Sequence, residues 1–324
     1  MAWLVTGGAG YVGAHLVHAL REAGNNVVVL DDLSTGIPDR LPADVPLVCG
    51  TLLDPHALDR TFGAHVVSGV VHLAAKKRVA ESIDEPLVYY RENVEGLRML
   101  LERCAAAGVE SFLFSSSAAV YGESAVLPID EEVPCVPVNP YGHTKLAGEW
   151  LTRAVGAVAG MRTVALRYFN VAGAASADLA DVEAANLVPL VLSAIRRGES
   201  PQIFGDDYPT RDGTCVRDYI HVADVADAHV AAVRALEHGD LGSASTLNIG
   251  TGRGVSVREI IDLALKITGG DVEAVVMPRR PGDPPAVVAS VDRAADALQW
   301  KARHDVSDMV ESAWTAMYAL RSSM

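Results

Sequence analysis

The chain has 324 residues, half of them apolar, and a formal net charge of −14. That length allows two lobes around a shared cleft, and the acidic balance argues against a nucleic-acid partner or an anionic membrane surface, so a polyanionic ligand would need local arginines and helix N-termini. No apolar run approaches the ~20 residues that span a bilayer, strand-like sequence starts at Trp3 with no signal peptide ahead of it, and Cys49, Cys104, Cys135 and Cys215 are widely separated, which predicts a cytoplasmic chain with free thiols and no metal.

In chain order, residues 3–6 read as a short buried strand, 11–23 as a helix stopped by Gly24, and Val27, Val28, Val29 and Leu30 as a second buried strand. A weaker strand near 47–49 precedes a short helix from about Pro55. Then come a strand at 66–73, a long helix near 86–107, a strand at 111–115, a long helix at 141–158 and a strand at 163–169. Continuous apolar strands alternating with helices predict an α/β fold, a Rossmann-type doubly wound parallel sheet covered on both faces. After about Asn170 the pattern is irregular. A helix near 222–236, a strand near 246–249 and a helix near 257–268 lie between Gly-, Pro- and Asp-rich loops at 206–218 and 278–285. The expected division is a cofactor domain over 1–170 and a smaller α/β substrate lobe over 171–324 whose segments interleave with the first.

The first strand runs into Gly7-Gly8-Ala9-Gly10-Tyr11-Val12-Gly13. Glycines there permit a tight turn and close approach of a pyrophosphate, and the helix that follows offers amide hydrogens and the positive end of its dipole. Asp31 ends the second strand, 18 positions after Gly13. A carboxylate there accepts from ribose hydroxyls and repels a 2′-phosphate, which favours NAD over NADP.

Tyr141 stands four residues before Lys145, one helical turn away on the same face. A tyrosine is a poor base at its ordinary pKa of ~10, and a neighbouring cation is expected to lower it. Ser117 belongs to a serine run closing the strand at 111–115, the end of an open sheet where ligands bind. Its hydroxyl is a candidate bridge between a substrate hydroxyl and Tyr141.

With these motifs the chain resembles the extended short-chain dehydrogenase/reductases, and within them the UDP-glucose 4-epimerases, almost end to end. The likeness continues through Asp31-Asp32-Leu33-Ser34, His72-Leu73-Ala74-Ala75-Lys76, residues 114–122, Pro140-Tyr141-Gly142-His143-Thr144-Lys145, Leu166-Arg167-Tyr168-Phe169-Asn170, the more specific stretch 204–222, and Arg279-Arg280-Pro281-Gly282-Asp283. The resemblance implies that Tyr141 takes the proton of a sugar 4-hydroxyl while resident NAD accepts hydride from carbon 4. The keto sugar then turns over and hydride returns to its other face. Lys145 would stabilise the phenolate and Ser117 would relay the proton. The implied cofactor contacts are Gly7, Gly10, Tyr11, Val12, Gly13, Asp31, Asp32, Leu33, Ser34, Thr35, Gly36, Thr51, Leu52, Leu73, Ala74, Ala75, Lys77, Asn93, Tyr141, Lys145 and Phe169. The implied substrate contacts are Ser117, Tyr141, Asn170, Asn186 and Leu187 along the diphosphate and uridine, Gln202 and Phe204 at the uracil, Arg217 and Arg280 at the diphosphate, and Asp283 at the ribose.

The chain also departs from the pattern. Thr51 replaces a usual Asp beside the adenine, Ala119 a usual hydroxyl, and Glu92-Asn93 a frequent Asn pair. Val287 stands where a bulky residue limits the pocket in some members, which keeps N-acetylhexosamine substrates open; a UDP-uronate is a further alternative substrate. Ala118-Ala119 occupy the place where sugar-nucleotide dehydratases carry an acid–base pair, and the Glu usual in the decarboxylases is absent. A NAD-binding protein without turnover would usually lack the Tyr or the Lys. Apolar residues on several faces of the helices near 86–107 and 141–158 (Leu97, Leu100, Leu101, Leu146, Trp150, Leu151) predict, by the same resemblance, a homodimer.

Overall fold

The computed structural model describes residues 1–183, 186–280 and 282–322, so Pro281 of the last motif lies outside the described residues. In chain order the elements are β1 (Ala2–Thr6), α1 (Tyr11–Glu22), β2 (Val27–Asp31), β3 (Leu47–Cys49), α2 (Pro55–Ala64), β4 (Val67–His72), α3 (Val79–Asp84), α4 (Pro86–Tyr90), a π-helical turn (Arg91–Glu95), α5 (Gly96–Ala107), β5 (Ser111–Ser117), α6 (Pro140–Ala159), β6 (Arg162–Tyr168) and β7 (Asn170–Ala172). They continue with α7 (Leu187–Arg197), β8 (Gln202–Phe204), β9 (Val216–His221), α8 (Val222–His238), β10 (Ala244–Ile249), β11 (Gly254–Ser256), α9 (Val257–Thr268), β12 (Val275–Met277), β13 (Ala286–Val287), α10 (Asp292–Leu298) and α11 (Val306–Ser322).

Seven strands form one sheet in the order β3-β2-β1-β4-β5-β6-β10, and every pairing in it is parallel. Strand side chains alternate between faces, and here both faces are buried. Val5, Val29, Val71, Leu113, Val164 and Leu247 pack with Leu16 and Val17 of α1 and Val225 and Val233 of α8. Leu4, Val28, Leu30, Val70, Phe112 and Phe114 pack on the opposite side with Leu58 of α2 and Leu97, Leu100 and Leu101 of α5. Each such side chain contributes about 1.5–3 kcal/mol through burial. Because all seven strands run the same way, their carboxyl ends share one edge. That edge carries Gly7, Asp31, Leu73, Ser117 and Phe169.

The remaining strands make smaller units. β9 pairs with β7, β11 and β13, and β8 pairs with β12. Val188, Val191 and Leu192 of α7, Ile260 and Ile261 of α9, and Met309 and Val310 of α11 form their core. Between them, α8 and β10 return to the main sheet. The expected single helix near 86–107 is α4 and α5 joined by the π-helical turn. The two-to-six-residue strands β7–β9 and β11–β13 and the helices α3, α7, α10 and α11 are not among the elements expected from the sequence. Short strands in polar, Gly- and Pro-rich context carry too few alternations to reveal a period.

Candidate functional site

Gly7 and Gly13 of the glycine loop leave no room for a side chain. Gly7 has φ +71, a left-handed conformation, and a Cβ there would stand 2.8 Å from the Ala74 amide nitrogen. A Cβ on Gly13 would stand 2.0 Å from the Gly7 carbonyl oxygen. Gly10 caps α1 with no side-chain hydrogen bond, so Tyr11, Val12 and Gly13 begin a helix whose first amides face the loop. Asp31 is 6% exposed. Its carboxylate accepts from Ala9 N at 2.9 Å and Leu33 N at 2.9 Å, tying the loop to the turn after β2. Burial pushes this carboxyl upward, and the two amide bonds pull it back. Asp32 is exposed, and its Oδ1 accepts from Ser34 N at 2.9 Å and Ser34 Oγ at 2.7 Å. Thr35 and Gly36 complete that turn. Leu52 is buried and Thr51 half-buried; Thr51 Oγ1 accepts from Leu53 N at 3.3 Å.

Leu73 and Ala74 both donate their amides to Thr6 O at 3.1 Å, holding the strand exit through Ala75 against the glycine loop. Asn93 lies in the π-helical turn, a distortion frequent at functional sites, and is 3% exposed. The resemblance makes it a cofactor contact. In the fold its amide clamps the 76–77 loop to α6: Oδ1 accepts from Lys76 N at 2.7 Å, and Nδ2 donates to Lys76 O at 2.9 Å and Thr144 Oγ1 at 3.0 Å. Lys77 Nζ stands 3.0 Å from Glu183, which Arg78 also approaches at 3.4 Å. Lys76 instead pairs with Glu81 at 3.6 Å. Glu183 belongs to no motif, and only folding reveals it.

Tyr141, Lys145 and Ser117 come together at the shared edge. α6 starts at Asn139, whose Oδ1 accepts from Gly142 N at 2.9 Å, with Pro140 in the first turn. It lies close against β5 because Gly148 has no side chain: a Cβ there would stand 2.4 Å from the Phe114 ring. Tyr141 and Lys145 are 8% and 4% exposed. Lys145 Nζ donates to Ser115 O at 2.8 Å and sits 6.0 Å from the centre of the Tyr141 ring. Burial is the largest influence on Tyr141 and pushes its hydroxyl up; the neighbouring Ser117 hydroxyl pulls it back. The net direction is thus opposite to the lowering expected from the cation, because desolvation of a buried phenolate dominates. Lys145 feels the same burial and falls to about 8, with Glu149 acting in the other direction. Phe169 is buried beside Tyr121 and Leu146.

The residues expected at a nucleotide gather on β8, β9 and the segment after β12. Arg280 stacks on Phe204, its guanidinium carbon 3.7 Å from the ring centre. Arg217 Nη2 donates to Asp283 Oδ1 at 3.2 Å, and Nη1 to Pro284 O at 2.8 Å. Arg217 and Asp283, expected to serve different parts of a ligand, therefore hold each other. Asn170, Gln202 and Asn186 are exposed; Asn186 Nδ2 donates to Asp181 Oδ2 at 3.3 Å, and Leu187 opens α7. Contacts from Tyr11 OH to Gly173 O at 2.5 Å and from Ala175 N to His15 Nε2 at 3.0 Å join α1 to the chain after β7. A cavity of about 690 Å³ opens elsewhere, beside Trp150, Arg153, Thr246 and Arg293. It contains none of the residues expected at cofactor or nucleotide. Among the described residues no group of three or more His, Cys, Asp or Glu could hold a metal ion, and no helix is long and apolar enough to cross a membrane.

Residues 3–250 match the model of the NAD dependent epimerase/dehydratase family. The chain belongs to this family. Its relatives include a UDP-glucose 4-epimerase from Azospirillum brasilense, 46% identical over 99% of this chain and 93% of that protein. Among solved structures, the UDP-glucose 4-epimerase of Stenotrophomonas maltophila with bound NAD and formylated UDP-arabinopyranose superposes with a TM-score of 0.94 at 37% identity, each chain covered fully. The Bifidobacterium longum UDP-glucose 4-epimerase in complex with NAD+ and UDP gives 0.91 at 35% identity, again over 100% of both chains. The seven-stranded parallel sheet thus has the architecture of family members at this level of identity.

Proposed function

We propose that the chain is a UDP-glucose 4-epimerase, an isomerase that interconverts UDP-glucose and UDP-galactose with NAD as its resident cofactor. The observation that carries this reading is the assembly of Tyr141, Ser117 and Lys145 on the edge that also holds the glycine loop, with Ala118 and Ala119 in place of the side chains that elimination needs. The chain's own features fit NAD: Gly7 and Gly13 leave room that a Cβ would fill, the start of α1 is uncapped, and Asp31 stands at the end of β2. Bound NAD supplies the reversible two-electron step at carbon 4 of the sugar.

Tyr141 takes the proton from the 4-hydroxyl at its phenolic oxygen and returns it, and Ser117 bridges the two oxygens. Lys145, a buried cation, offsets charge on that oxygen and binds the nicotinamide ribose. Gly7, Gly10, Tyr11, Val12 and Gly13 cradle the pyrophosphate, and Asp31 with the 32–36 turn receives the adenosine ribose. Thr51, Leu52, Leu73, Ala74, Ala75, Lys77, Asn93 and Phe169 enclose the rest, with Lys77 exchanging Glu183 for the ligand. Arg217 and Arg280 bind the diphosphate, Asp283 the uridine ribose, Phe204 and Gln202 the uracil, and Asn170, Asn186 and Leu187 the path between. The division into a cofactor domain over 1–170 and an interleaved substrate lobe over 171–324 follows the same split of tasks.

A cytoplasmic homodimer completes the proposal. Of the apolar residues expected at its interface, Leu97, Leu100, Leu101 and Leu146 are buried within the chain, whereas Trp150 is 62% exposed. Val158 on α6 and Leu87 and Tyr90 on α4 are exposed with it. The test of function is release of NAD on denaturation together with coupled assays of UDP-galactose, UDP-N-acetylglucosamine and UDP-glucuronate. Bound NAD with no turnover of any UDP-hexose would overturn the reading, and turnover of the N-acetylated sugar alone would move the assignment to the substrate class that Val287 leaves open.

A further inference from the structure

Residues 173–180 follow β7, and three side chains of the cofactor half hold their backbone. Tyr11 OH donates to Gly173 O at 2.5 Å, His15 Nε2 accepts from Ala175 N at 3.0 Å, and Arg40 Nη2 donates to Ala180 O. These side chains are buried, at 7%, 3% and 4% exposure. His15 Nδ1 lies 2.8 Å from Tyr11 O. A carbonyl only accepts and an amide N–H only donates, so the ring proton sits on Nδ1, and Nε2 is bare and aimed at Ala175. The Tyr11 and His15 rings meet edge to face, 5.4 Å between centres. From the other side, Ala174 N donates to Ser312 Oγ of α11 at 3.3 Å. Gly173 lies against His221, where a Cβ would stand 2.6 Å from the ring.

We infer that His15 is a positioning residue: its bare Nε2, together with the Tyr11 hydroxyl, sets how the nucleotide-sugar half stands against the pyrophosphate cradle. In one direction along the chain, α1 opens with Tyr11, Val12 and Gly13 at the glycine loop, one helical turn before His15. In the other, Gly173 leads back through β7 to Asn170 and Phe169 at the shared sheet edge. β7 also pairs with β9, Asn170 opposite Tyr219, on the strand that carries Arg217. The imidazole therefore ties the helix of the cradle to the segment from which the expected substrate contacts project. Transfer between a sugar carbon and a bound cofactor depends on their separation, and a misplacement of about 1 Å costs on the order of 10²-fold. The consequence for turnover rests on the functional reading above, whereas the bond itself does not.

The chain has ten histidines, so an NMR spectrum of isotope-labelled histidine is tractable, and His15→Gln assigns the signal. At neutral pH His15 should be uncharged with its proton on Nδ1. His15→Asn keeps a donor near the Nδ1 position and cannot reach Ala175, whereas His15→Gln brings a carbonyl oxygen near the Nε2 position and can. In His15→Asn the Ala175 amide is expected to exchange with solvent about tenfold faster. Its kcat for UDP-galactose should fall about tenfold, with KM within about threefold and NAD content that of wild type, because Tyr11 still holds Gly173. His15→Gln should bring both rates back to within about threefold of wild type. If His15→Asn does not fold, Tyr11→Phe decides, since it loses only the bond to Gly173 and should lower kcat in the same way. A proton on Nε2, equal losses in the Asn and Gln variants, kcat within about twofold of wild type in the deciding variant, or loss of NAD in step with turnover overturns the inference. A wild-type protein inactive on UDP-sugars overturns the functional reading instead, and the His15 tautomer and Ala175 exchange still decide the bond.

Discussion

Replacing Tyr141 by Phe isolates a single atom. The ring stays where it is, 8% exposed and 6.0 Å from Lys145 Nζ, and only the phenolic oxygen is lost. On the folding side the cost is at most that of one hydrogen bond to the nearby Ser117 hydroxyl. Such a bond is worth about 0.5–1.5 kcal/mol net, and Ser117 is only half-buried, so water can take up its hydroxyl. Loss of burial strain on the phenol works in the opposite sense, and the unfolding midpoint should move little. On the catalytic side a positioned acid–base group contributes about 10²–10⁴-fold, or roughly 3–5 kcal/mol of barrier at 1.36 kcal/mol per tenfold. The glycine loop is untouched, so NAD content should be that of wild type. The assays are coupled UDP-galactose turnover, NAD released on denaturation, and thermal unfolding, all on one preparation. Turnover within tenfold of wild type would refute the assignment of Tyr141. Loss of NAD in parallel with turnover would show that the tyrosine acts through the cofactor site instead.

Gly13→Ala sets a methyl 2.0 Å from the Gly7 carbonyl; the protein should purify with little or no NAD, and near-stoichiometric NAD would contradict the cradle. Arg280→Ala removes the cation stacked on Phe204 and should raise KM for UDP-galactose about ten- to a hundredfold, at roughly 1.5–3 kcal/mol for a charged hydrogen-bonding partner, with kcat and NAD content largely kept. Buried His15, His72 and His229 are pushed down from 6.5 to about 4, 3 and 4. A folded value below the unfolded one means that the unfolded chain binds more protons as pH falls below 6.5, so stability is full above 6.5 and is lost down to about 4 for His15 and His229 and about 3 for His72. His15 and His229 contribute on the order of 3 kcal/mol each and His72 about 5 kcal/mol at 1.36 kcal/mol per unit, and denaturant midpoints that do not fall between pH 6.5 and 4.5 would argue that these rings are hydrated.

Local order carries a great deal here. Apolar runs of four or five residues ended by glycine or aspartate, followed by helical periods, specify a parallel sheet, because a strand buried on both faces has no polar alternation to confuse it. The glycine loop and the Tyr141–Lys145 spacing are legible for a related reason: their chemistry depends on neighbours within one turn or one loop. The same locality misleads on the tyrosine, since spacing reveals the cation and not the burial that outweighs it. Glu149 sat on the visible helix face, one turn beyond Lys145, but a glutamate there reads as solvated until Arg167 is brought to it by β6. The pairings of Arg217 with Asp283 and Lys77 with Glu183 join positions 66 and 106 residues apart, and no local period encodes them. The short strands β7–β9 and β11–β13 exist only because partners distant in sequence complete their hydrogen bonds. The sequence by itself determined the sheet, the glycine loop and the Tyr141–Lys145 spacing, all set by nearest neighbours along the chain. Tertiary structure alone decided which charges meet and which are buried, because desolvation and ion pairing are properties of the packed interior.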